Sequence, residues 1–128
     1  MKDSEYASML LSMAKKDLKA LSAMTDINIF EDEIFGFHAQ QTIEKSVKAW
    51  IVYLGIEFPR THDITFLLLI LEEQGINIEQ YKDFIEYNIF AVQFCYEAFD
   101  SIIESLNRKA TIKKISEFVA QIDNIIKI

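Results

Sequence analysis

Three features of the sequence predict an all-α fold, an up-and-down bundle of about five helices. Apolar residues recur at three- and four-residue steps along most of the chain, only three Gly and one Pro interrupt it, and the connections between periodic segments are short. So few turn formers argue against the many turns of a β-sandwich. The 128 residues, 51% apolar and 26% charged, suit a single domain over 1–128 with one core.

Over residues 4–24, Ala7, Leu10, Leu11, Ala14, Leu18 and Leu21 recur at helical spacing, with Lys15, Lys16 and Lys19 pointing elsewhere. This is an amphipathic first helix. Thr25, Asp26 and Asn28 offer a polar turn, and Glu31, Asp32 and Glu33 suit the positive end of a second helix over 31–54. Gly55 stops that helix, and residues 57–61 form a connector held by Pro59. Thr61 or Asp63 caps a third helix running through Glu73, whose Leu67, Leu68, Ile70 and Leu71 make it apolar almost all round and place it deep in the core. Gly75 ends it. A fourth helix begins near Ile78 and turns Tyr81, Phe84, Ile85, Tyr87, Ile89 and Val92 inward or against a partner. Residues 96–107 read as a loop or short helical turn. The last helix, over 108–127, carries Ile112, Ile115, Val119, Ile122 and Ile126 at the steps of a bundle seam.

With 13 basic against 20 acidic residues the formal charge is −7, which disfavours non-specific attraction to nucleic acid or an anionic membrane. Cys95 is the only cysteine, so an intrachain disulfide and a cysteine-based zinc site are excluded, and a cytoplasmic location is expected. The N-terminus lacks the pattern of a signal peptide, and the apolar run Phe66 to Leu71 is too short to span a bilayer. No membrane association is expected. Ten Phe and five Tyr exceed what the seams of a small bundle need. They read either as a Phe-rich core or as anchors of a dimer interface.

The stretch 37–48 carries His, Gln, Glu and Lys within a strongly helical segment. At about 3.6 residues per turn, His38, Gln41, Lys45 and Lys48 form one stripe with Glu44 beside it, while Ile43, Val47, Trp50, Ile51 and Leu54 form another. Spacing alone favours a solvated face stabilised by Glu and Lys; the sharper reading is a polar site on a packed bundle. Two histidines, His38 and His62, without HExxH or paired ExxH spacing, predict no metal site and no cofactor. His62 beside Asp63 reads as a helix-start feature. The isolated Gly36, Gly55 and Gly75 exclude phosphate-cradling glycine loops, and Cys95 reads as a small core residue rather than a nucleophile. Lys45, Lys48 and Arg60 offer local phosphate contacts or pair with Glu44 and Glu57.

The segment Phe37-His38-Ala39-Gln40-Gln41-Thr42-Ile43-Glu44-Lys45-Ser46-Val47-Lys48-Ala49, followed by Pro59-Arg60-Thr61-His62-Asp63, resembles the HEPN (higher eukaryotes and prokaryotes nucleotide-binding) domain family along essentially the whole chain. The resemblance implies a helical bundle that usually forms a homodimer, often beside a minimal nucleotidyltransferase with which it forms a toxin–antitoxin pair. It also implies, for many members, metal-independent ribonuclease activity from an Arg with a His four to six positions later. This chain lacks that pair: His62 follows Arg60 at a spacing of two, and no His follows Arg108. Where related short members carry Arg-Tyr, this chain has Cys95-Tyr96, and a thiol cannot supply a guanidinium's fixed charge or bidentate phosphate contact. The expectation is therefore a partner of a minimal nucleotidyltransferase with no catalytic residues of its own. His38, Gln41, Glu44, Lys45, Lys48, His62, Asp63 and Tyr96 are its candidate nucleotide- or RNA-binding residues. The alternatives are an active toxin ribonuclease using His38 or His62 in another arrangement, and a purely structural dimer subunit.

Overall fold

The computed structural model describes residues 3–91 and 107–126. These form an all-α bundle: α1 (Ser4–Ser22), α2 (Asp32–Tyr53), α3 (Ile64–Glu73), a 3-10 segment (Glu79–Ala91) and α4 (Arg108–Ile126). The ends follow the signals in the sequence closely. Asp3 caps α1 by accepting from the Tyr6 N–H, and Asp63, one of the two predicted caps, accepts from the Thr65 N–H at the start of α3. Helices α2 and α3 both close through a left-handed glycine, Gly55 at φ 85° and Gly75 at φ 84°. The N–H groups of Ile56 and Ile76 return to the carbonyls of Ile51 and Leu71, satisfying the last turn.

Helix α2 is the axle of the bundle. It packs against α1, α3, the 3-10 segment and α4, so Phe35, Ala39, Ile43, Val47 and Ile51 are fully buried. Burial all round removes the single apolar stripe of a surface helix and explains why polar positions on α2 are also out of solvent. Helix α3 departs from the sequence reading: Leu67, Leu68 and Leu71 face the core, but Phe66 and Leu69 are exposed. The core holds only one side of this short apolar helix.

The fourth helix of the sequence reading is present at Glu79–Ala91, where it is wound as a 3-10 helix. Its buried residues are Tyr81, Phe84, Tyr87 and Phe90, at uniform steps of three. That spacing puts all four rings on one line at three residues per turn, whereas an α-helix would spiral them off it. Tyr81 and Phe84 meet Phe118 of α4 at ring-centroid distances of 4.9 and 5.1 Å, and Trp50 of α2 sits edge-on to Tyr81 at 6.0 Å. These aromatics fill the core, and each such pair adds about 0.5–1.5 kcal/mol beyond its buried area. Gly36 makes room for the line's last ring, because a Cβ there would stand 2.3 Å from the Phe90 ring.

Arg108, at the start of α4, is buried and donates to the carbonyls of Met24, Asp26 and Phe30 and to the Asp32 carboxylate. It ties the α1–α2 turn to the last helix, with its guanidinium over the Phe35 ring. Among the described residues no helix is long and apolar enough to cross a membrane.

Candidate functional site

The polar residues of α2 divide between two faces. One face carries Gln40, Glu44 and Lys48, spaced four apart and buried, with Glu44 only 3% exposed. The Glu44 carboxylate accepts from Gln40 Nε2 at 2.8 Å and His62 Nδ1 at 2.9 Å on one oxygen, and from Lys48 Nζ at 2.8 Å on the other. Gln40 spends its second amide hydrogen on the His62 carbonyl at 3.1 Å, and its oxygen accepts from Gln41 at 2.7 Å. The connector after α2 is thus fastened to α2 by both the backbone and the side chain of His62.

Burial pushes the Glu44 carboxyl upward, but the hydrogen bonds from Lys48, Gln40 and His62, together with the Lys48 charge, outweigh it and hold the group below its ordinary value. Glu44 is therefore an anion at neutral pH, and the hydrogen shared with His62 sits on Nδ1. The imidazole is 70% exposed, which leaves its other nitrogen open to solvent.

The second face meets α1. Asp17 accepts from Lys45 Nζ at 2.6 Å and lies 3.3 Å from His38 Nδ1, clamping α1 to α2 through one carboxylate. Asp63 holds the start of α3 and also accepts from Asn88 Nδ2 at 2.8 Å, while Asn88 Oδ1 takes the Ile64 N–H at 2.7 Å. Asn88 ties the α3 cap to the 3-10 segment.

The structure thus brings Glu44, Lys48 and His62 into one cluster, places His38 and Lys45 in another, and leaves Asp63 in a capping network. Gln41 touches the first cluster only through Gln40. Tyr96 and Cys95 lie outside the described residues. The solvated-face expectation fails for Glu44 and Lys48, which are buried and paired. Three participants escaped the sequence reading. Gln40 was findable, since it stands four residues before Glu44 as Lys48 stands four after it. Asp17 and Asn88 come from distant helices and carry no local signal.

Beside the Glu44 cluster opens a cleft of about 940 Å³ between the start of α1 and the connector. Tyr6 and Phe58 face each other across it at 6.3 Å, and Lys48 reaches it over the Phe58 ring at 4.9 Å. Arg60 and His62 bring basic groups to its lining, but Asp3, Glu5 and Glu57 bring three carboxylates. Because Lys48 is already neutralised by Glu44, the cleft offers a polyanion little net attraction. Among the described residues no group of three or more His, Cys, Asp or Glu is placed to hold a metal ion.

A model of the HEPN domain matches residues 7–128, which takes in both polar clusters, the connector and α4. The chain belongs to the HEPN domain family. A Methanocaldococcus jannaschii protein named "Putative toxin MJ1304" is 34% identical over 56 residues, covering 44% of this chain and 36% of that protein. The chain therefore spans little more than a third of that relative's length. No solved structure matches. Within this HEPN domain Arg108, at the start of α4, is held structurally: its Nη1 and Nη2 donate to three carbonyls of the α1–α2 turn and to a carboxylate, while its buried Nε has no partner among the described residues.

Proposed function

We propose that this protein is the HEPN member of a toxin–antitoxin-type pair, a homodimer that works as an interaction module for a minimal nucleotidyltransferase and has no ribonuclease activity of its own. One observation carries the reading. The charged groups of the family motif are spent on one another inside the chain, Glu44 on Lys48, Gln40 and His62, and Asp17 on Lys45 and His38. Groups paired in this way brace a bundle and leave few hydrogen-bonding valences for a substrate. The absent Arg and His pair, the structural role of Arg108 and the toxin name borne by a relative support the same reading. If the motif residues bind a nucleotide or RNA, Lys48 and His62 are the two that line the cleft, and a phosphate would meet them there beside Arg60.

A second reading has one observation in its favour. Glu44 orients His62 through Nδ1 and leaves the opposite ring nitrogen facing solvent, the arrangement an acid–base histidine needs. An RNA-cleavage assay on pure protein separates the two. The module reading expects no cleavage above background, and co-purification with a nucleotidyltransferase encoded beside it. Metal-independent cleavage lost in His62→Ala or His38→Ala, with the helical circular dichroism unchanged, overturns it.

A further inference from the structure

The charges around the cleft favour a cation over an anion. Asp3, Glu5 and Glu57 bring three carboxylates to its lining against Lys48 and Arg60, and Glu44 already balances Lys48. Arg60 therefore offsets one acid of the three. Glu5, Glu57 and Arg60 are exposed and enter no ion pair among the described residues, so the acidic excess is unspent. The two helix ends that meet here leave the sign unchanged. Asp3 covers the positive end of α1 by accepting from the Tyr6 N–H, while Val52 and Gly55 bring the negative end of α2, whose last turn holds no basic residue.

The walls suit the same kind of ligand. An aromatic face attracts a cation through its quadrupole, and the cleft already makes one such contact, Lys48 Nζ over the Phe58 ring at 4.9 Å. Tyr6, 40% exposed, offers a second ring. The pair is badly spaced for a nucleobase: the centroids stand 6.3 Å apart at a tilt of 36°, whereas a flat ring between them needs about 7 Å, two contacts of about 3.5 Å each. A guanidinium can lie on the one open face. It is planar, weakly hydrated and able to hold a carboxylate through two parallel hydrogen bonds, so it uses ring and acid together, which an ammonium does less well. The volume of about 940 Å³ is large beside pockets that span about 300–1,000 Å³, and it has room for a side chain with the backbone that bears it.

We infer that the cleft receives an arginine-bearing segment of a protein partner, its guanidinium on the Tyr6 ring and paired with Glu5 or Glu57. This deepens the interaction-module reading and rests on it for the partner's being a protein. The chain's formal charge of −7 steers a basic segment toward it.

An arginine-glycine-arginine peptide blocked at both ends, titrated into the full chain and followed by amide NMR, tests the cleft, with circular dichroism as the check on folding of each variant. It should shift the amides of Tyr6, Ile56 and Phe58 and bind at least about 10-fold more tightly than the matching glutamate peptide. Glu57→Lys should weaken it about 10-fold, while Glu73→Lys, the same change of net charge at an exposed α3 site outside the cleft, should weaken it less than about 2-fold. Tyr6→Ala should weaken it about 3-fold. The double variant of Glu5→Lys and Glu57→Lys should prefer the glutamate peptide. Equal losses in Glu57→Lys and Glu73→Lys overturn the site, as does AMP shifting these amides where the arginine peptide does not. Spermidine binding as tightly as the peptide and indifferent to Tyr6→Ala overturns the assignment to arginine. Co-purification with the proposed nucleotidyltransferase that survives both Tyr6→Ala and Glu57→Lys overturns the cleft and leaves the module reading standing; peptide binding as expected with no co-purification does the reverse.

Discussion

Replacing Glu44 by Gln keeps the shape of the side chain and removes the charge on which three donors converge. The carboxylate is buried, and the Lys48 side chain is only 11% exposed, so the substitution strands an ammonium and an amide where water barely reaches. A hydrogen bond to a charged group in such a place is worth about 1.5–3 kcal/mol, and the exposed His62 adds no more than about 1 kcal/mol. The sum agrees with the loss of about 3–5 kcal/mol expected when one partner of a buried ion pair is removed. Since Lys48 can lean toward the cleft over the Phe58 ring, the low end applies, about 3 kcal/mol. For 128 residues this lowers the melting temperature by about 10 °C.

Urea denaturation of Glu44→Gln should show the midpoint falling with the slope unchanged. Lys48→Met in the same background should recover much of the loss, because no charge is then left unpaired. The sign of the pH dependence follows from the lowered carboxyl. Its stabilisation is fully present above the ordinary value of 4.5 and is lost as pH falls through the lower folded value. The gap between wild type and Glu44→Gln should therefore shrink in acid, where the native glutamate is itself protonated. A Glu44→Gln unfolding free energy within about 0.5 kcal/mol of wild type, or strict additivity with Lys48→Met, refutes the buried brace and restores a solvated face.

Gly36→Ala should destabilise by about 1–3 kcal/mol despite alanine's better helix propensity, since its Cβ runs into the Phe90 ring; trimming that ring with Phe90→Leu should recover part of the loss in a thermal melt. Arg108→Lys should cost about 2–4 kcal/mol, because a single ammonium cannot reach the carbonyls of Met24 and Phe30 and the Asp32 carboxylate together; chemical denaturation measures it. Asn88→Ala should cost about 1–2 kcal/mol and speed hydrogen exchange at Ile64, whose N–H loses its acceptor.

Most of the fold was legible because its signals are local. Asp3 and Asp63 stand where a helix must be capped, Gly55 and Gly75 where it must reverse, and the seam of α4 repeats at helical steps. The 3-10 winding was not legible, because Ile85, Ile89 and Val92 interleave in sequence with Tyr81, Phe84, Tyr87 and Phe90 and obscure their period of three. The site was legible only in part. A helical wheel places Lys48 in the polar stripe and Glu44 beside it but cannot show that the connector folds back over them; His62, which holds Glu44, and Asp17, which holds His38 and Lys45, lie 18 residues or more from their partners.

That arrangement changes how variants of the motif should be interpreted. His38 and Lys45 do not reach the cleft lining, yet they hold α1 against α2, and α1 supplies the Tyr6 wall of the cleft. Loss of partner binding in His38→Ala therefore has two explanations, removal of a ligand group or displacement of α1. Asp17→Asn distinguishes them, because it leaves both basic residues in place and weakens only their shared anchor. If the motif is a brace, Asp17→Asn should weaken partner binding about as much as His38→Ala, each costing about 1–2 kcal/mol of stability in the same melt. If His38 and Lys45 instead meet a ligand directly, Asp17→Asn should bind as well as wild type while His38→Ala fails, and titration calorimetry against the proposed nucleotidyltransferase partner would show the difference.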